Sequence, residues 1–263
     1  MISIILVVYR SDEKKLNKIL KIIGNKYNII IIDNSLNYNF KKIKLSKKTK
    51  IIRSINNGNG AGINLALKNC KTKFALYFDI DVEVEKNFIN KFIKYSKKIK
   101  NFSILIPNHG KNKVKKLPIK YYIGEASVML FNNRILKKIG FFDENFFLYF
   151  EEIDILLRSK REKIATYLFP FLKIKHMRSS SIKKNIKIDL LRAWHYMWSM
   201  FYFYKKNFTY LFALKKISLF IIKDFIMFFF YLLLLDKYNY KLRFYRLFGA
   251  ISSVIGLKSF LRL

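Results

Sequence analysis

The chain is poor in cysteine and in acidic residues. Its single cysteine, Cys70, excludes an internal disulfide and suits a reducing cytoplasm. Only 17 residues are Asp or Glu against 52 Lys or Arg, which gives a formal net charge of +35. This excess predicts an anionic partner such as a nucleotide, a nucleic acid or an acidic membrane face, although a composition biased toward lysine also contributes to it.

The amino terminus lacks the features of a signal peptide. No basic segment precedes the apolar run 2–8, and the run is too short for that role, so it predicts a first β-strand. Hydrophobic residues make up 52% and aromatic residues 17% of the 263 residues. A chain of this size and composition buries a full core, which excludes disorder despite the charge.

Apolar runs alternate with helical patterns through the first half of the chain. Strands are predicted at Ile2–Val8, Asn28–Ile32, Ile51–Ile52, Phe74–Phe78, Ile104–Ile106 and Gly124–Phe131, and helices at Asp12–Ile23, Asn56–Leu67, Phe88–Tyr95 and Asn132–Ile139. This alternation predicts an α/β fold with a mostly parallel, doubly wound sheet and helices on both faces. Ligands of such sheets bind at the carboxyl ends of the strands, where Tyr9, Asp33, Asp79 and Asp81 are then expected to line one crevice.

Two carboxylates follow the predicted strand 74–78 in the sequence Asp79-Ile80-Asp81. Side chains two residues apart in extended chain point to the same side, so this pair is suited to holding one divalent cation. The same pattern also closes strands as an ordinary turn. On these residues alone, both interpretations stay open.

A second acidic cluster lies between Gly140 and Arg158, where aromatic residues flank the acids. Glu151, Asp154 and Arg158 fall on one helix face, with the last two at ion-pair spacing, whereas Glu152 points elsewhere. The positive end of the helix dipole also favours acids at a helix start, and that effect alone explains one or two of them.

These motifs, taken in order, resemble glycosyltransferase family 2, the inverting enzymes of the GT-A fold, and within it the bacterial rhamnosyltransferase-like branch. Together they span roughly residues 1–205, and their shared order is far more specific than any one of them. The matching segments are Val7–Tyr9, Ile32–Ser35, Asn57–Asn64, Asp79–Asp81, Gly140–Arg158, and His176 with Ser179–Ser181.

The resemblance implies a divalent metal, Mg²⁺ or Mn²⁺, and a role for each matching residue. It makes Asp79 and Asp81 the metal-binding pair, with Asp81 the more direct ligand and Asp79 nearer the ribose. It makes His176 an additional metal ligand and Glu152 the general base. The donor-binding residues are then Val8, Tyr9, Asp33, Asn57, Gly62 and Asp79, with Asp33 bonded to the pyrimidine base, and the acceptor-side or structural residues are Glu151, Asp154 and Arg158.

Two positions depart from the family pattern. The first loop reads Val8-Tyr9-Arg10 where Thr-Tyr-Asn is common, and the position of the base carries Glu152 where the family usually has Asp. One base without a protein nucleophile implies single displacement with inversion, assisted by a cation on the leaving diphosphate.

The carboxyl-terminal region, 206–263, is predicted to be a helical extension of the transferase domain 1–205. Its segment Ile217–Leu235 is almost wholly apolar, but Lys223 and Asp224 interrupt it and basic residues flank both ends. We expect helices that lie in the membrane interface on the cytoplasmic face, drawn to anionic lipid by lysine. A spanning helix, a buried helical subdomain and a homo-oligomer interface are the alternatives.

The predicted function is transfer of a sugar, with dTDP-rhamnose as one donor candidate, to a lipid-linked or polysaccharide acceptor in glycan synthesis. A UDP-hexose or galactofuranose donor is the first alternative. The second is a basic nucleic-acid- or membrane-binding protein without transferase activity, although acids at strand ends repel phosphate in the absence of a metal. The third is an inactive family member, because Glu152 departs from the pattern.

Overall fold

A computed structural model describes residues 2–110, 117–177 and 185–262. The chain forms two units, which we describe one at a time. The first unit comprises Met1–Asn56, Ala61–Phe142 and Ile155–Lys183, and the second comprises Asn57–Gly60, Asp143–Asp154 and Lys184–Leu263.

Strands and helices alternate through the first unit, and long helices make up most of the second. The strands are β1 (Ile2–Val8), β2 (Asn28–Asp33), β3 (Thr49–Arg53), β4 (Phe74–Phe78), β5 (Val82–Glu83), β6 (Phe102–Asn108), β7 (Ile119–Lys120), β8 (Val128–Asn132), β9 (Ala165–Lys173) and β10 (Lys175–His176). The helices are α1 (Glu13–Ile23), α2 (Asn59–Lys68), α3 (Phe88–Ser96), α4 (Asn133–Ile139), α5 (Glu151–Arg161), α6 (Ile186–Asn207), α7 (Tyr210–Leu233) and α8 (Lys237–Val254).

An eight-stranded sheet in the order β3-β2-β1-β4-β8-β6-β9-β7 forms the centre of the first unit. Strands β3, β2, β1 and β4 run parallel, β8 lies antiparallel between β4 and β6, and β6 pairs in parallel with β9. The α/β fold with a mostly parallel sheet is therefore confirmed. The strand predicted from Gly124 begins only at Val128, because Gly124 has a φ of +149° that a regular strand does not adopt.

The side chains of β1 pack into hydrophobic clusters on both faces of the sheet, as the uninterrupted apolar sequence of this strand predicts. Ile4 and Leu6 belong to the hydrophobic cluster that contains α1 and α3, whereas Ile5 belongs to the opposite cluster, which contains residues of α2 and α5. All three side chains are fully buried. Parallel pairing then aligns Val8 with Asp33 and Leu6 with Phe78, so the polar residues that follow β2 and β4 lie at one edge of the sheet.

Three helices, α6, α7 and α8, form most of the second unit. Each begins at a polar cap, because the side chains of Asn185, Thr209 and Asp236 accept hydrogen bonds from the first-turn amides of α6, α7 and α8, respectively. A Cβ added to Gly249 would lie 2.2 Å from the carbonyl oxygen of Trp194, so only glycine permits this approach of α8 to α6. Over the described residues, no helix is long and apolar enough to cross a membrane.

The acidic residue inside the apolar helix α7 has a structural explanation. Asp224 is 1% exposed, and its carboxylate accepts hydrogen bonds from Arg243 Nη1 at 2.8 Å and from Arg246 Nε at 2.6 Å. The charge that interrupts the apolar pattern of α7 therefore joins α7 to α8.

We expect the Asp224→Ala variant to lose about 3–5 kcal/mol of unfolding free energy, because two partly buried guanidinium groups lose their counter-ion. Trp194 and Trp198 both lie in α6, so denaturant unfolding followed by tryptophan fluorescence reports on this unit. Glu85→Gln removes the acid of an exposed ion pair with Lys91 and serves as the control, with no expected shift of the midpoint. Equal midpoints for the two variants would contradict this role of Asp224.

The stability of the second unit is also expected to fall in mild acid because of His195. This imidazole is fully buried, its ring stacks on that of Phe147, and its Nδ1 lies 3.3 Å from the hydroxyl of Ser259. Burial first, and then the neighbouring Arg262, lowers the pKa of His195 from 6.5 to about 3.

Between these two pH values the unfolded state binds a proton that the folded state does not, so stability is present above pH 6.5 and is lost below it. At pH 5 the loss from this group is about 2 kcal/mol. Unfolding free energies of the parent and of His195→Phe, measured across this range, test the assignment through their slopes. A parent slope no steeper than that of the variant would refute it.

Candidate functional site

Two carboxylates and one imidazole converge at the carboxyl end of β4. His176 Nε2 lies 3.2 Å from Asp81 Oδ1 and 3.8 Å from Asp79 Oδ2. One ligand atom from each of the three residues lies within 4.8 Å of the others. Carboxylate oxygens with one imidazole nitrogen form a donor set that Mn²⁺ and similar divalent cations accept. The side chains of Asp79 and His176 are partly exposed, so an exogenous ligand can reach such a cation.

Backbone pairing brings His176 to the two aspartates. Strand β10 pairs antiparallel with β5 and aligns His176 with Val82, the residue after Asp81. The amide of Met177 donates to the carbonyl of Asp81 at 3.0 Å. The predicted partners of His176 in the motif, Ser179–Ser181, lie outside the described residues.

The surroundings of Asp79 favour its neutral form. The pKa of Asp79 is raised to about 7, mainly by desolvation and also by the charge of Asp81, although a hydrogen bond from the Tyr77 hydroxyl and the proximity of His176 act in the opposite direction. A cation held by these residues would reverse this balance, because metal ligation requires the deprotonated carboxylate.

His109 is a member of this region that the sequence analysis did not identify. Its Nε2 accepts a hydrogen bond from the amide of Ser127 at 3.1 Å, and its ring lies edge-on to that of His176 with centroids 6.4 Å apart. The carbonyl of the same Ser127 accepts from the amide of Asp79 at 2.8 Å. His109 directly follows β6, so the rule that places functional residues after parallel strands was the available signal.

The loops after β1 and β2 form a second part of the site. The amide of Asn34 donates to the carbonyl of Val8 at 2.9 Å, which fixes the exit of β2 beside that of β1. A Cβ on Gly62 would lie 2.9 Å from Val7 Cγ1 and 3.3 Å from Asn34 Nδ2. Glycine at this position therefore lets the first turn of α2 approach the ends of both strands. Tyr9, at the exit of β1, donates its amide to the Ser11 hydroxyl at 3.1 Å.

Asp33 organises the loop that follows β2. It is fully buried, and its two carboxylate oxygens accept hydrogen bonds from the amides of Ser35 at 2.8 Å and Tyr38 at 3.0 Å. Arg53 Nε lies 3.9 Å from the second oxygen. Tyr38 and Arg53 also line a cavity of about 730 Å³, within the range of small-molecule sites.

In the second unit, a segment with strained backbone conformation precedes the adjacent residues Glu151 and Glu152. Tyr149 and Phe150 have φ values of 69° and 67°, a left-handed conformation that costs about 1–3 kcal/mol per residue. Both rings contact Tyr196 of α6, and the Ser199 hydroxyl donates to the carbonyl of Leu148 at 2.8 Å. This packing maintains the turn from which α5 starts at Glu151.

The loop 57–60 packs on the same segment. A Cβ added to Gly58, whose φ is +106°, would lie 2.3 Å from the carbonyl oxygen of Phe147, and the amide of Asn59 donates to that oxygen at 3.2 Å. Asn59 Nδ2 lies 3.5 Å from Glu151 Oε1. The motif that begins at Asn57 and the start of α5 therefore form one packed group, in which Glu151 is buried and Glu152 is partly exposed.

Asp154 has structural partners. It is fully buried, and its Oδ1 lies 2.8 Å from Lys206 Nζ and accepts from Asn207 Nδ2 at 3.0 Å. Lys206 also donates to Asp143 at 2.7 Å. Burial raises the pKa of Asp143, but hydrogen bonds from Lys206 and Asn145 outweigh burial and leave this pKa lowered. Asp154 thus links α5 to the end of α6.

Arg158, within the first unit, closes the end of α4. Its guanidinium donates to the carbonyl of Ile139 at 2.7 Å and to that of Phe141. Between these two carbonyls lies Gly140, the left-handed residue that ends α4. These contacts give Arg158 a structural role at the end of α4.

Comparison with known proteins identifies the family of the chain. The model of the glycosyl transferase family 2 domain matches residues 3–156. A hexosyltransferase of low-salt glycan biosynthesis from Haloferax volcanii, Agl10, is 25% identical over an alignment of 194 residues that covers 62% of this chain and 62% of that one. The chain thus spans less than two thirds of this relative's length.

Two solved glycosyltransferase structures are similar in fold. The mannosyltransferase PcManGT from Pyrobaculum calidifontis, in complex with GDP-Man and Mn²⁺, superimposes with a TM-score of 0.57 at 10% identity, over 96% of this chain and 86% of that one. GalNAc-T7 with UDP, GalNAc and Mn²⁺ gives a TM-score of 0.58 at 12% identity, over 85% of this chain and 57% of that one. These matches confirm the GT-A-like fold, and the family model, which covers more than half of the chain, shows that the chain belongs to glycosyltransferase family 2.

Proposed function

We propose that this protein is an inverting glycosyltransferase that moves a sugar from a nucleoside-diphosphate donor to an acceptor hydroxyl with the help of a divalent metal. The observation that carries the proposal is the convergence of Asp79, Asp81 and His176 at the end of β4. These are the residues to which the family resemblance assigns the metal, and the chain belongs to that family.

Asp81 and His176 are the proposed metal ligands, and Asp79 is placed between the metal and the ribose. A divalent cation in this donor set neutralises the negative charge that develops on the leaving diphosphate. The chain's own contribution is to fix the ligands before the donor arrives. The β5–β10 pairing and the Ser127 carbonyl hold the backbone at His176 and Asp79.

For donor binding we propose Val8, Tyr9, Asp33, Asn57 and Gly62. Both carboxylate oxygens of the buried Asp33 accept hydrogen bonds from backbone amides of the loop after β2. We therefore propose that Asp33 acts in base recognition by holding this loop in place. Tyr38 of that loop and Arg53 at the end of β3 line the adjacent cavity, and we propose that these two side chains contact the base. Gly62 keeps the first turn of α2 close to β1, where a larger residue would collide with Val7.

Glu152 is the proposed general base, which takes the proton of the acceptor hydroxyl. It lies in the first turn of α5 and is partly exposed, whereas its neighbour Glu151 is only 4% exposed and is in contact range of Asn59. With one base and no protein nucleophile, displacement occurs in a single step and inverts the anomeric configuration.

The donor proposal is a nucleotide-activated hexose. It is supported by the hexosyltransferase name of the Haloferax volcanii relative and by the UDP and GDP-Man in the similar structures. We retain dTDP-rhamnose as a candidate, since it follows from the resemblance of the motifs. The glycan-biosynthesis name of the relative supports a lipid-linked or polysaccharide acceptor.

A thermal-shift screen of UDP-, GDP- and dTDP-sugars tests this function and ranks the donors. With Mn²⁺ present, a sugar nucleotide at about 100 times its Kd adds about 2.7 kcal/mol of unfolding free energy, which is a rise of several degrees in Tm. We expect the rise to disappear in EDTA. Stabilisation by random DNA that does not depend on Mn²⁺, with no response to any sugar nucleotide, would contradict the proposal in favour of a nucleic-acid-binding protein.

A further inference from the structure

The face of α7 that points away from the rest of the second unit is apolar. Leu219, Ile226 and Leu233 follow one another at intervals of seven residues on this face and are 76%, 60% and 85% exposed. On the opposite side of the helix, Ala213 and Ile217 are fully buried. Most monomeric proteins do not expose an apolar stripe over a helix of 24 residues, so this face is expected to have a partner.

Helix α8 carries a second exposed apolar stripe. Phe244, Ile251 and Ile255 are 51%, 51% and 66% exposed. Ring contacts join this stripe to α7, because Phe228 lies between Phe229, at 5.2 Å, and Phe244, at 6.4 Å between centroids. The two stripes thus form one continuous surface, which we call the α7–α8 face.

The exposed charges within helices α7 and α8 have one sign, and the turn between the helices adds one acid, Asp236, whose carboxylate caps α8. Lys215, Lys216 and Lys223 are exposed on α7, and Lys237 and Lys241 are exposed on α8. The one acidic residue within 210–233 is Asp224, which is buried between two arginines, and 237–254 contains no acid. An apolar surface bordered by lysines is complementary to the acyl chains and anionic headgroups of a lipid bilayer.

We propose that the α7–α8 face binds the surface of an anionic phospholipid bilayer, with both helices lying in the plane of the interface. A symmetric pair of chains joined through this face would bring lysines together without acids to neutralise them, so the charge favours lipid over a second copy. This surface is defined without reference to the catalytic residues, and it holds whether or not the proposed transfer reaction is correct.

Co-sedimentation of the full chain with vesicles tests the proposal. We expect binding to vesicles of phosphatidylcholine with phosphatidylglycerol, and at least about tenfold weaker binding to phosphatidylcholine alone. The double variant Leu219→Gln/Ile226→Gln is expected to lose about tenfold or more in affinity for the anionic vesicles, because it places two amides in the apolar stripe.

The matched control is Leu117→Gln/Ile123→Gln in the first unit. These side chains are 75% and 66% exposed, close to the values for Leu219 and Ile226, and their replacement is expected to leave vesicle binding unchanged. A second pair of variants tests the charge. Lys215→Gln/Lys216→Gln/Lys223→Gln is expected to weaken anionic-vesicle binding at least about tenfold, whereas the same change at the exposed Lys97, Lys98 and Lys100 has little effect.

Three outcomes would overturn the proposal. They are equal binding to neutral and anionic vesicles, equal losses in a variant and its control, and concentration-dependent dimerisation in sedimentation velocity that Leu219→Gln/Ile226→Gln abolishes. The last result would assign the face to a second copy. Far-UV circular dichroism of each variant shows that the helices are retained, and a normal sugar-nucleotide thermal shift in the lipid-binding variants separates this surface from the metal site.

Discussion

The Asp81→Asn variant is expected to lose the thermal stabilisation by Mn²⁺ with a sugar nucleotide and to transfer sugar at least about a thousandfold more slowly than the parent. Asp81 is nearly buried, with a side-chain exposure of 4%, and its Oδ1 lies 3.2 Å from His176 Nε2. Asparagine keeps the shape of the side chain but removes the negative charge, so the change separates metal binding from packing.

The controls for Asp81 follow from the same geometry. Asp12→Asn replaces an acid at the cap of α1, where asparagine is an equally good cap, and is expected to leave both readouts unchanged. His176→Gln is expected to show an intermediate loss, because both aspartates remain. An Asp81→Asn protein that keeps the Mn²⁺-dependent shift would show that the metal, if it binds, is held elsewhere.

The second large effect is expected at Glu152. Glu152→Gln cannot accept a proton, so we expect kcat to fall about 10²- to 10⁴-fold while the donor-dependent thermal shift stays normal. The reason is that a general base acts on the acceptor and takes no part in holding the donor. The measurement is steady-state transfer compared with the thermal shift in the same preparation.

The neighbouring residue offers a matched control for Glu152. Glu151→Gln makes the same charge change one position earlier, on a buried side chain that lies 3.5 Å from Asn59. We expect this variant to lower the unfolding free energy and to have a much smaller effect on kcat than Glu152→Gln. Glu152→Asp restores the residue that the family usually has and is expected to retain substantial activity. Transfer by Glu152→Gln at the parental rate would remove Glu152 from the mechanism.

The sequence predicted the sheet and the position of Asp79 and Asp81 at the end of a strand because both depend on local patterns. The apolar runs of β1, β2 and β4 are long enough to specify buried strands, and Asp79 and Asp81 follow β4 directly. His176 was placed with them only through the family resemblance, since its position depends on the pairing of β5 with β10. That pairing covers two residues of each strand, too few for any periodicity to reveal.

Other features depend on contacts that sequence patterns do not encode. Asp154 and Arg158 were grouped by helical spacing, but Asp154 is bound by Lys206 and Asn207 of α6, and Arg158 by the carbonyls of Ile139 and Phe141. His109 was missed because it lies in none of the segments that match the family, although it directly follows β6. In the same way, the sequence does not explain why Asp224 interrupts the apolar segment of α7. The structure explains it, because Arg243 and Arg246 of α8 both donate hydrogen bonds to this carboxylate.

Calorimetric titration of a nucleoside diphosphate into the protein, with and without Mn²⁺, tests the central claim most directly. If Asp79, Asp81 and His176 form a metal-diphosphate site, UDP, GDP or dTDP binds in Mn²⁺ and its affinity falls at least about a hundredfold in EDTA and in Asp81→Asn. Binding of equal strength under all three conditions, or no binding of any of these nucleotides in Mn²⁺, would contradict the account.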